Sequence, residues 1–303
     1  METMNCKIFD SSNKDVRKFV FTKDKEDGTK DIAVEAVLYK YESYATRTVI
    51  CCSTQCGCPV GCSFCGTGKF FIRNLTWEEI CEQVNTVLST IDCETSEIKK
   101  FQIMFMSMGE PFLNYKNLET AIIVLHQKYP NAQLLISTSA PITMRNHFDE
   151  FIALSQDIDK VGLQFSVHES LDENRKRLIP SNSMSLKEIA HYGELWAKSV
   201  GRKVYYNYCV HPGNDSEEDA NRLIELFDPA CWETTLSVIC EKSESVKSSI
   251  ERQLEIINKF ADYLTKKGAS LRIFNPAGQD DIGGGCGQLW YFQDWLKNKN
   301  SNK

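Results

Sequence analysis

Residues 56–70 read CGCPVGCSFCGTGKF, and Cys58, Cys62 and Cys65 within it form C-x3-C-x2-C. A structural zinc site wants four ligands, usually in two paired knuckles. No second C-x2-C or histidine pair stands at a suitable distance. Three thiolates on one tight loop instead suit three irons of a [4Fe–4S] cube, leaving the fourth iron open to an outside ligand. A zinc loop or a set of redox thiols is the alternative. The chain holds 13 cysteines, an odd number and clustered, with no apolar run at its start. That pattern argues for reduced thiols with a metal or redox role. Cys6, Cys81, Cys93, Cys209, Cys231 and Cys240 read more plainly as buried thiols packing as small hydrophobes.

Other polar residues stand where strands should end. MGEP (108–111) follows an apolar run; its glycine admits close backbone approach, and Glu110 can accept from a cationic amine. Read alone it is an ordinary strand-to-helix turn. Ser137 ends the next strand, Ser166-Val167-His168 the one after, and Asn275 the last. A lone histidine at a strand end is more often structural. Four polar groups in register with a cysteine loop shift that balance.

The elements that must position these residues alternate. FQIMFMS (101–107), AQLLIST (132–138), KVGLQFSVH (160–168), KVYYNYCVH (203–211), TTLSVIC (234–240) and ASLRIFN (269–275) read as strands. Helices fall between them at 114–129, 144–155, 185–199, 216–227 and 248–268, with another at 75–91. Capping boxes open two of these, at Thr76/Glu79 and Ser185/Glu188. Such alternation means βαβ units and a parallel sheet, in about six units. It fits a partial or complete β/α barrel, whose chemistry sits at the C-terminal strand ends. Neither G-x-G-x-x-G after the first strand nor a P-loop is present. VRKFVF, VEAVLYKY and TRTVICC alternate at period two and predict a small antiparallel layer in residues 1–50. The expected division is this β-rich extension, a core over 51–290 and a short tail over 291–303.

A 303-residue chain with 42% hydrophobic content can bury a substantial core. Its net charge of −6 excludes a protein that grips nucleic acid by overall positive charge. Contacts with nucleic acid would need local basic groups, such as Lys69 with Arg73 or the run Arg175 to Arg177. Phe70 and Phe71 are candidates to stack a base, or equally to fill the core. No stretch approaches the roughly 20 apolar residues of a membrane span. The expectation is a cytoplasmic protein.

The cysteine motif, with Phe64 before its last cysteine, resembles the radical S-adenosylmethionine (SAM) superfamily. Longer stretches resemble the RlmN/Cfr family of radical SAM RNA methylating enzymes. They are CCSTQCGCPVGCSFCGTGKFFIRNLT, MGEPFLN, LLISTSAP, FSVHESLDENRKRLIP, GNDSEEDANRL, IFNP and GGGCGQL, in the family's order over most of residues 32 to 290. The resemblance implies an α/β fold: a partial (β/α)6 TIM-like barrel of the radical SAM type with a small N-terminal antiparallel β extension.

The same resemblance implies roles. Cys58, Cys62 and Cys65 would hold a [4Fe–4S] cluster. Gly109, Glu110, Ser137, Ser166, Val167, His168 and Asn275 would contact SAM. Cys286 matches the cysteine that becomes methylated, and Cys51 the cysteine that resolves it through a disulfide. Glu35 matches the proposed general base. The implied reaction is methylation of an sp² carbon of adenine, C2 before C8, in tRNA or rRNA. Such a carbon is too poor a nucleophile to take the methyl of SAM by displacement, which is why a thiol carries it first. A small electron donor such as flavodoxin or ferredoxin and a monomeric state complete the expectation. The family's bacterial members carry an N-terminal helical domain, expected here to be absent or a stub. That leaves a non-ribosomal or non-RNA substrate as the first alternative and a non-catalytic Fe–S or zinc module as the second. Cys52 and Cys56 are extra cysteines beside Cys51.

Overall fold

The computed structural model describes residues 3–26, 28, 30–68, 70–238, 246–274 and 282. Four strands open it: β1 (Asn5–Asp10), β2 (Val16–Asp24), β3 (Lys30–Tyr41) and β4 (Arg47–Cys52), each antiparallel to the next. A short hairpin, β5 (Gln55–Gly57) with β6 (Phe71–Asn74), brackets the cysteine loop. The alternation follows: α1 (Trp77–Leu88), β7 (Lys100–Phe105), α2 (Tyr115–Lys128), β8 (Gln133–Thr138), α3 (Phe148–Asp157) and β9 (Val161–Ser166). Then come α4 (Asp172–Leu178), α5 (Leu186–Val200), β10 (Val204–Val210), α6 (Glu217–Leu226), β11 (Trp232–Val238), α7 (Val246–Lys266) and β12 (Leu271–Ile273).

Ten strands form one sheet in the order β1-β2-β3-β4-β7-β8-β9-β10-β11-β12. From β4 onward every pairing is parallel. The fold is therefore a partial β/α barrel of the radical SAM type with an antiparallel extension. TRTVICC belongs to both parts. As β4 it closes the antiparallel layer against β3 and starts the parallel one against β7. The position-50 boundary falls inside that strand, and hydrogen bonding runs unbroken across it.

Local sequence explains the helices. Both expected capping boxes form, and a third appears at Ser216 and Asp219. The segment read as one helix over 144–155 divides in two. Met144 N donates to Pro141 O, an i+3 bond, so residues 142–147 make a 3-10 turn before α3 begins. Helix α4, inside ESLDENRKRLIP, was not anticipated. Its seven residues are too few to show a helical period.

The two sheet faces differ in chemistry. Ile50, Cys52, Ile103, Phe105, Leu134, Ile136, Leu163 and Phe165 point outward and are buried beneath the helices. Each large side chain there contributes about 1.5–3 kcal/mol by leaving water. The strand register places Glu35, Cys51, Met104, Leu135, Ser137, Gln164, Ser166, Asn207 and Thr235 on the other, inner face. A cavity of about 680 Å³ opens on that face, lined among others by Gln102, Gln133, Gln164, Tyr205 and Arg272. Among the described residues no helix is long and apolar enough to cross a membrane.

Candidate active site at the C-terminal strand ends

The cysteine loop hangs from the β5–β6 hairpin. Gly57 sits at φ 85°, and a Cβ there would lie 2.3 Å from the Phe70 carbonyl oxygen, so only glycine lets the hairpin pinch shut. Cys58 N donates to that same oxygen, at 2.8 Å. Cys65 N donates to Cys62 O, and Ser63 N reaches Leu178 O at the end of α4. Cys58, Cys62 and Cys65 are all partly buried. Burial pushes the Cys58 thiol up to about 12, and the nearby Glu110 and Cys65 charges push the same way. Cys62 is pushed up too, by burial first and then by Cys65 and Cys58. The three sulfurs are thus close enough to repel one another as thiolates.

Among the described residues no three His, Cys, Asp or Glu side chains converge on a point suited to one metal ion. Three partly buried thiols on one loop are a donor set that a [4Fe–4S] group, one iron to each thiolate, would fit.

The turn after β7 is locked to this hairpin. Gly109 has φ 97°, and a Cβ there would lie 2.6 Å from Gln55 Cβ. Glu110 N donates to Gln55 Oε1 at 2.8 Å, while Gln55 Nε2 donates to Asn74. Glu110 is buried and its carboxylate is well occupied. Oε1 accepts from Thr138 Oγ1 at 2.6 Å and Phe112 N at 3.1 Å; Oε2 accepts from Ser139 N and Oγ, both at 2.8 Å. Burial raises its proton affinity, and these donors oppose the rise. Any ligand amine would share the carboxylate with them.

Ser137 and Ser166 face inward, with Gln164 Nε2 donating to Ser137 Oγ at 3.3 Å. Val167 N and His168 N both donate to Asn207 O. His168 adopts φ 62° and the nearby Ala140 φ 59°, left-handed conformations that are uncommon outside glycine. Such strain gathers at functional sites. His168 Nδ1 accepts from Cys209 N at 3.2 Å, so the proton sits on Nε2. The ring meets Phe64 edge-on at 5.4 Å, joining the β9 end to the cysteine loop.

Burial lowers His168 to about 3, with the Arg175 charge adding to it. The sign follows directly. The folded chain keeps this imidazole neutral down to about 3, while the unfolded chain protonates it near its ordinary 6.5. Unfolding therefore takes up a proton below 6.5, and stability falls as pH drops. We expect the melting temperature to fall less between pH 7 and pH 5 in His168→Gln than in the unaltered chain. Calorimetry at both pH values tests this; equal falls would contradict it.

Of the cysteines before the loop, only Cys51 faces inward. Burial pushes its thiol up to about 12, partly offset by a hydrogen bond with Tyr39. Cys52 lies on the outer face and is buried, and Cys56 is buried with its thiol on the Ala33 backbone at 3.3–3.4 Å. Glu35 stands on the inner face two residues from Val37, the register partner of Cys51. Asn275, Cys286 and Lys69 lie outside the described residues.

Two basic candidates prove structural. Arg175 is 3% exposed and donates to the carbonyls of Ser139, Ser166 and Met184, tying β8 and β9 together. Arg73 is bound by Asp31 and Glu79. Lys176 and Arg177 stay exposed on α4. Phe71 is 45% exposed beside the cysteine loop, while Phe70 packs partly against the core.

A partial β/α barrel carrying a three-cysteine loop at its strand ends is the architecture of the radical SAM class. Comparison with known proteins narrows the class. The chain is 30% identical over 291 residues to a "Probable dual-specificity RNA methyltransferase RlmN" of Finegoldia magna, covering 94% of this chain and 78% of that protein. It is 34% identical to the protein of that name in Thermotoga petrophila, covering 80% and 68%. A "Probable RNA methyltransferase" of Bordetella avium is also 34% identical, covering 80% and 66%. The chain belongs to the RlmN family. Its fold is similar to the crystal structure of Streptococcus suis SuiB, with TM-score 0.51, 13% identity and coverage of 75% and 48%. No family model matches the chain.

Proposed function

We propose that this chain methylates carbon 2 of an adenine in tRNA or rRNA, with carbon 8 the alternative position. The observation that carries this reading is the placement of Cys51 and Glu35. Both lie on the inner face at the strand end that bears the cysteine loop, and the relatives are named RNA methyltransferases.

Cys58, Cys62 and Cys65 would hold a [4Fe–4S] cluster. Gly109, Glu110, Ser137, Ser166, Val167, His168 and Asn275 would receive SAM. When bound and reduced, these groups supply a 5′-deoxyadenosyl radical able to take one hydrogen from a methyl carried on Cys286. Cys286 gains that methyl from a first SAM, by attack of its thiolate. It then carries the methylene to the target carbon and forms a thioether bridge between protein and base. The adduct so formed is a radical: one electron would return from it to the oxidised cluster, and Glu35 removes the proton from that carbon to restore the aromatic ring. Cys51 attacks the sulfur of Cys286, the freed methylene takes up a proton to become the methyl group, and the disulfide left behind must be reduced before the next turnover. Burial pushes the Cys51 thiol up and so disfavours the attacking thiolate. A flavodoxin- or ferredoxin-like donor would provide electrons.

The test is turnover of anaerobically reconstituted protein with SAM, reductant and RNA, read by mass spectrometry of the digested RNA. The expected product is a methyladenosine that forms only with RNA present, at a rate falling as salt rises. SAM cleavage without any methylated nucleoside would contradict the RNA substrate.

A further inference from the structure

The inner face of the sheet has a second end, at the N-termini of its parallel strands. Arg47 opens β4 and is the register partner of Lys100, which opens β7. Arg272 stands on β12 as the register partner of Thr235. Steps of two along each strand lead from Arg47 to Cys51 and from Lys100 to Met104, so these cations share the inner face. In strand order β12 is far from β7, yet the Arg272 charge reaches both Lys100 and Tyr41. The curl of the barrel therefore brings the three cations to one mouth.

The 680 Å³ cavity on this face has the size of a small-molecule pocket, and Lys100, Gln102, Gln133 and Arg272 are among its walls. Five lysines and arginines line it against two carboxylates, in a chain whose net charge is −6. Three of the five are committed: Lys160 to Asp159, and Arg202 and Lys203 to backbone carbonyls. Among the described residues neither Lys100 nor Arg272 pairs with a carboxylate; Arg272 Nε donates to Thr235 Oγ1 at 2.9 Å. The other carboxylate, Glu233, is the register partner of Tyr205. Arg47 donates to Gln102 Oε1 at 3.1 Å and stacks on Tyr41 at 4.2 Å, while its Nε is buried and meets no acceptor. Burial and the charges of Arg47 and Arg272 hold the Lys100 ammonium below its usual range.

Like charges gathered at the mouth of a partly enclosed lumen repel one another and concentrate anions there. Guanidinium forks match the oxygens of phosphate and carboxylate, and an ammonium adds a point charge. Three cations outnumber the single charge of a carboxylate. A phosphate monoester, at about −2 near neutral pH, fits the count better. Gln102 Nε2 donates to Gln133 Oε1 at 3.3 Å, so the wall above the cations offers neutral amides to the rest of such a molecule.

We propose that the N-terminal mouth of the barrel, at Arg47, Lys100 and Arg272, binds a small phosphate monoester. A backbone phosphate of RNA shares this chemistry, but the site lies at the wrong end for it. Lys100 begins β7 and the Gly109-Glu110 turn follows its far end, a strand length of about 20 Å away. The mouth is thus separate from the cysteine-loop end, and it stands whatever base is methylated there.

The test titrates inorganic phosphate and ribose 5-phosphate into the reconstituted protein with SAM present, at fixed ionic strength, and reads binding by calorimetry. The unaltered protein should bind one phosphate per chain, and ribose 5-phosphate at least as tightly. Lys100→Gln/Arg272→Gln should weaken both at least about tenfold, the scale of hydrogen bonds to a charged group. Both side chains are exposed, so the fold should survive the change. Formation of 5′-deoxyadenosine should stay within about twofold, because the two ends are far apart. Lys100→Arg keeps the charge and should keep the binding. Lys187→Gln/Lys198→Gln removes two exposed charges from α5 and should bind as the unaltered protein does. Absence of phosphate binding by the unaltered protein, or exclusion of the ester, would overturn the proposal. So would equal weakening in the α5 variant, which would make the attraction one of diffuse charge. Loss of RNA affinity in Lys100→Gln/Arg272→Gln with phosphate affinity intact would overturn it too, and would give these cations to the RNA backbone.

Discussion

Replacing Cys62 with alanine should abolish reductive SAM cleavage while leaving the fold intact. Cys62 is partly buried on a loop whose backbone is held independently, by Cys58 N on Phe70 O and Ser63 N on Leu178 O. Those bonds survive the substitution. One of three thiolate positions is lost, and two thiolates cannot hold the cube with a single open iron. We expect the broad visible absorption of a [4Fe–4S] species to disappear on reconstitution. Formation of 5′-deoxyadenosine should fall to background, a loss of at least about a thousandfold, typical where the cofactor carries the chemistry. The same result is expected at Cys58 and Cys65. It is not expected at Cys56, whose thiol is committed to the Ala33 backbone inside the core. Full cluster loading in Cys62→Ala, or its loss in Cys56→Ser with an unchanged melting temperature, would contradict the ligand assignment.

The second large effect separates the radical from the methyl. Cys286→Ala should still cleave SAM, since the groups proposed to bind it lie elsewhere. It should transfer no methyl to RNA. Cys51→Ala should take the chemistry one step further and stop at the protein–RNA adduct. The position of Cys51 supports this order. It is the one cysteine of the Cys51, Cys52 and Cys56 group on the inner face, where a thioether formed at the site could be reached. Methyl transfer by Cys286→Ala at more than about a hundredth of the normal rate would remove the carrier role. An adduct in Cys52→Ala but none in Cys51→Ala would move the resolving role one residue along.

The sheet's parallel part and most helices could be read from the chain, because apolar runs of six or seven residues alternate with capped amphipathic segments. Thr76/Glu79 and Ser185/Glu188 marked helix starts to the residue. The C-x3-C-x2-C loop was equally plain, since its spacing is local. What escaped depends on register or on partners distant in sequence. The double duty of β4 follows from its pairing with β7 half a hundred residues on, which no local pattern encodes. The buried Lys18–Glu35 ion pair needs the β2–β3 register. Gln55 as the clamp on the Glu110 turn carries no sequence signal; only the clash at Gly109 reveals it. Arg175 looked like part of a basic surface run because its neighbours Lys176 and Arg177 are exposed. A helix turns one residue of such a run inward, and here that residue caps the ends of β8 and β9.

The central claim is that the methyl group passes through a cysteine and loses a hydrogen before reaching RNA. Turnover with SAM bearing a trideuterated methyl measures this directly. The methyl found on adenine should carry two deuterium atoms, and the third should appear in 5′-deoxyadenosine. A product methyl that keeps all three deuterium atoms would mean direct displacement on SAM, and would contradict it.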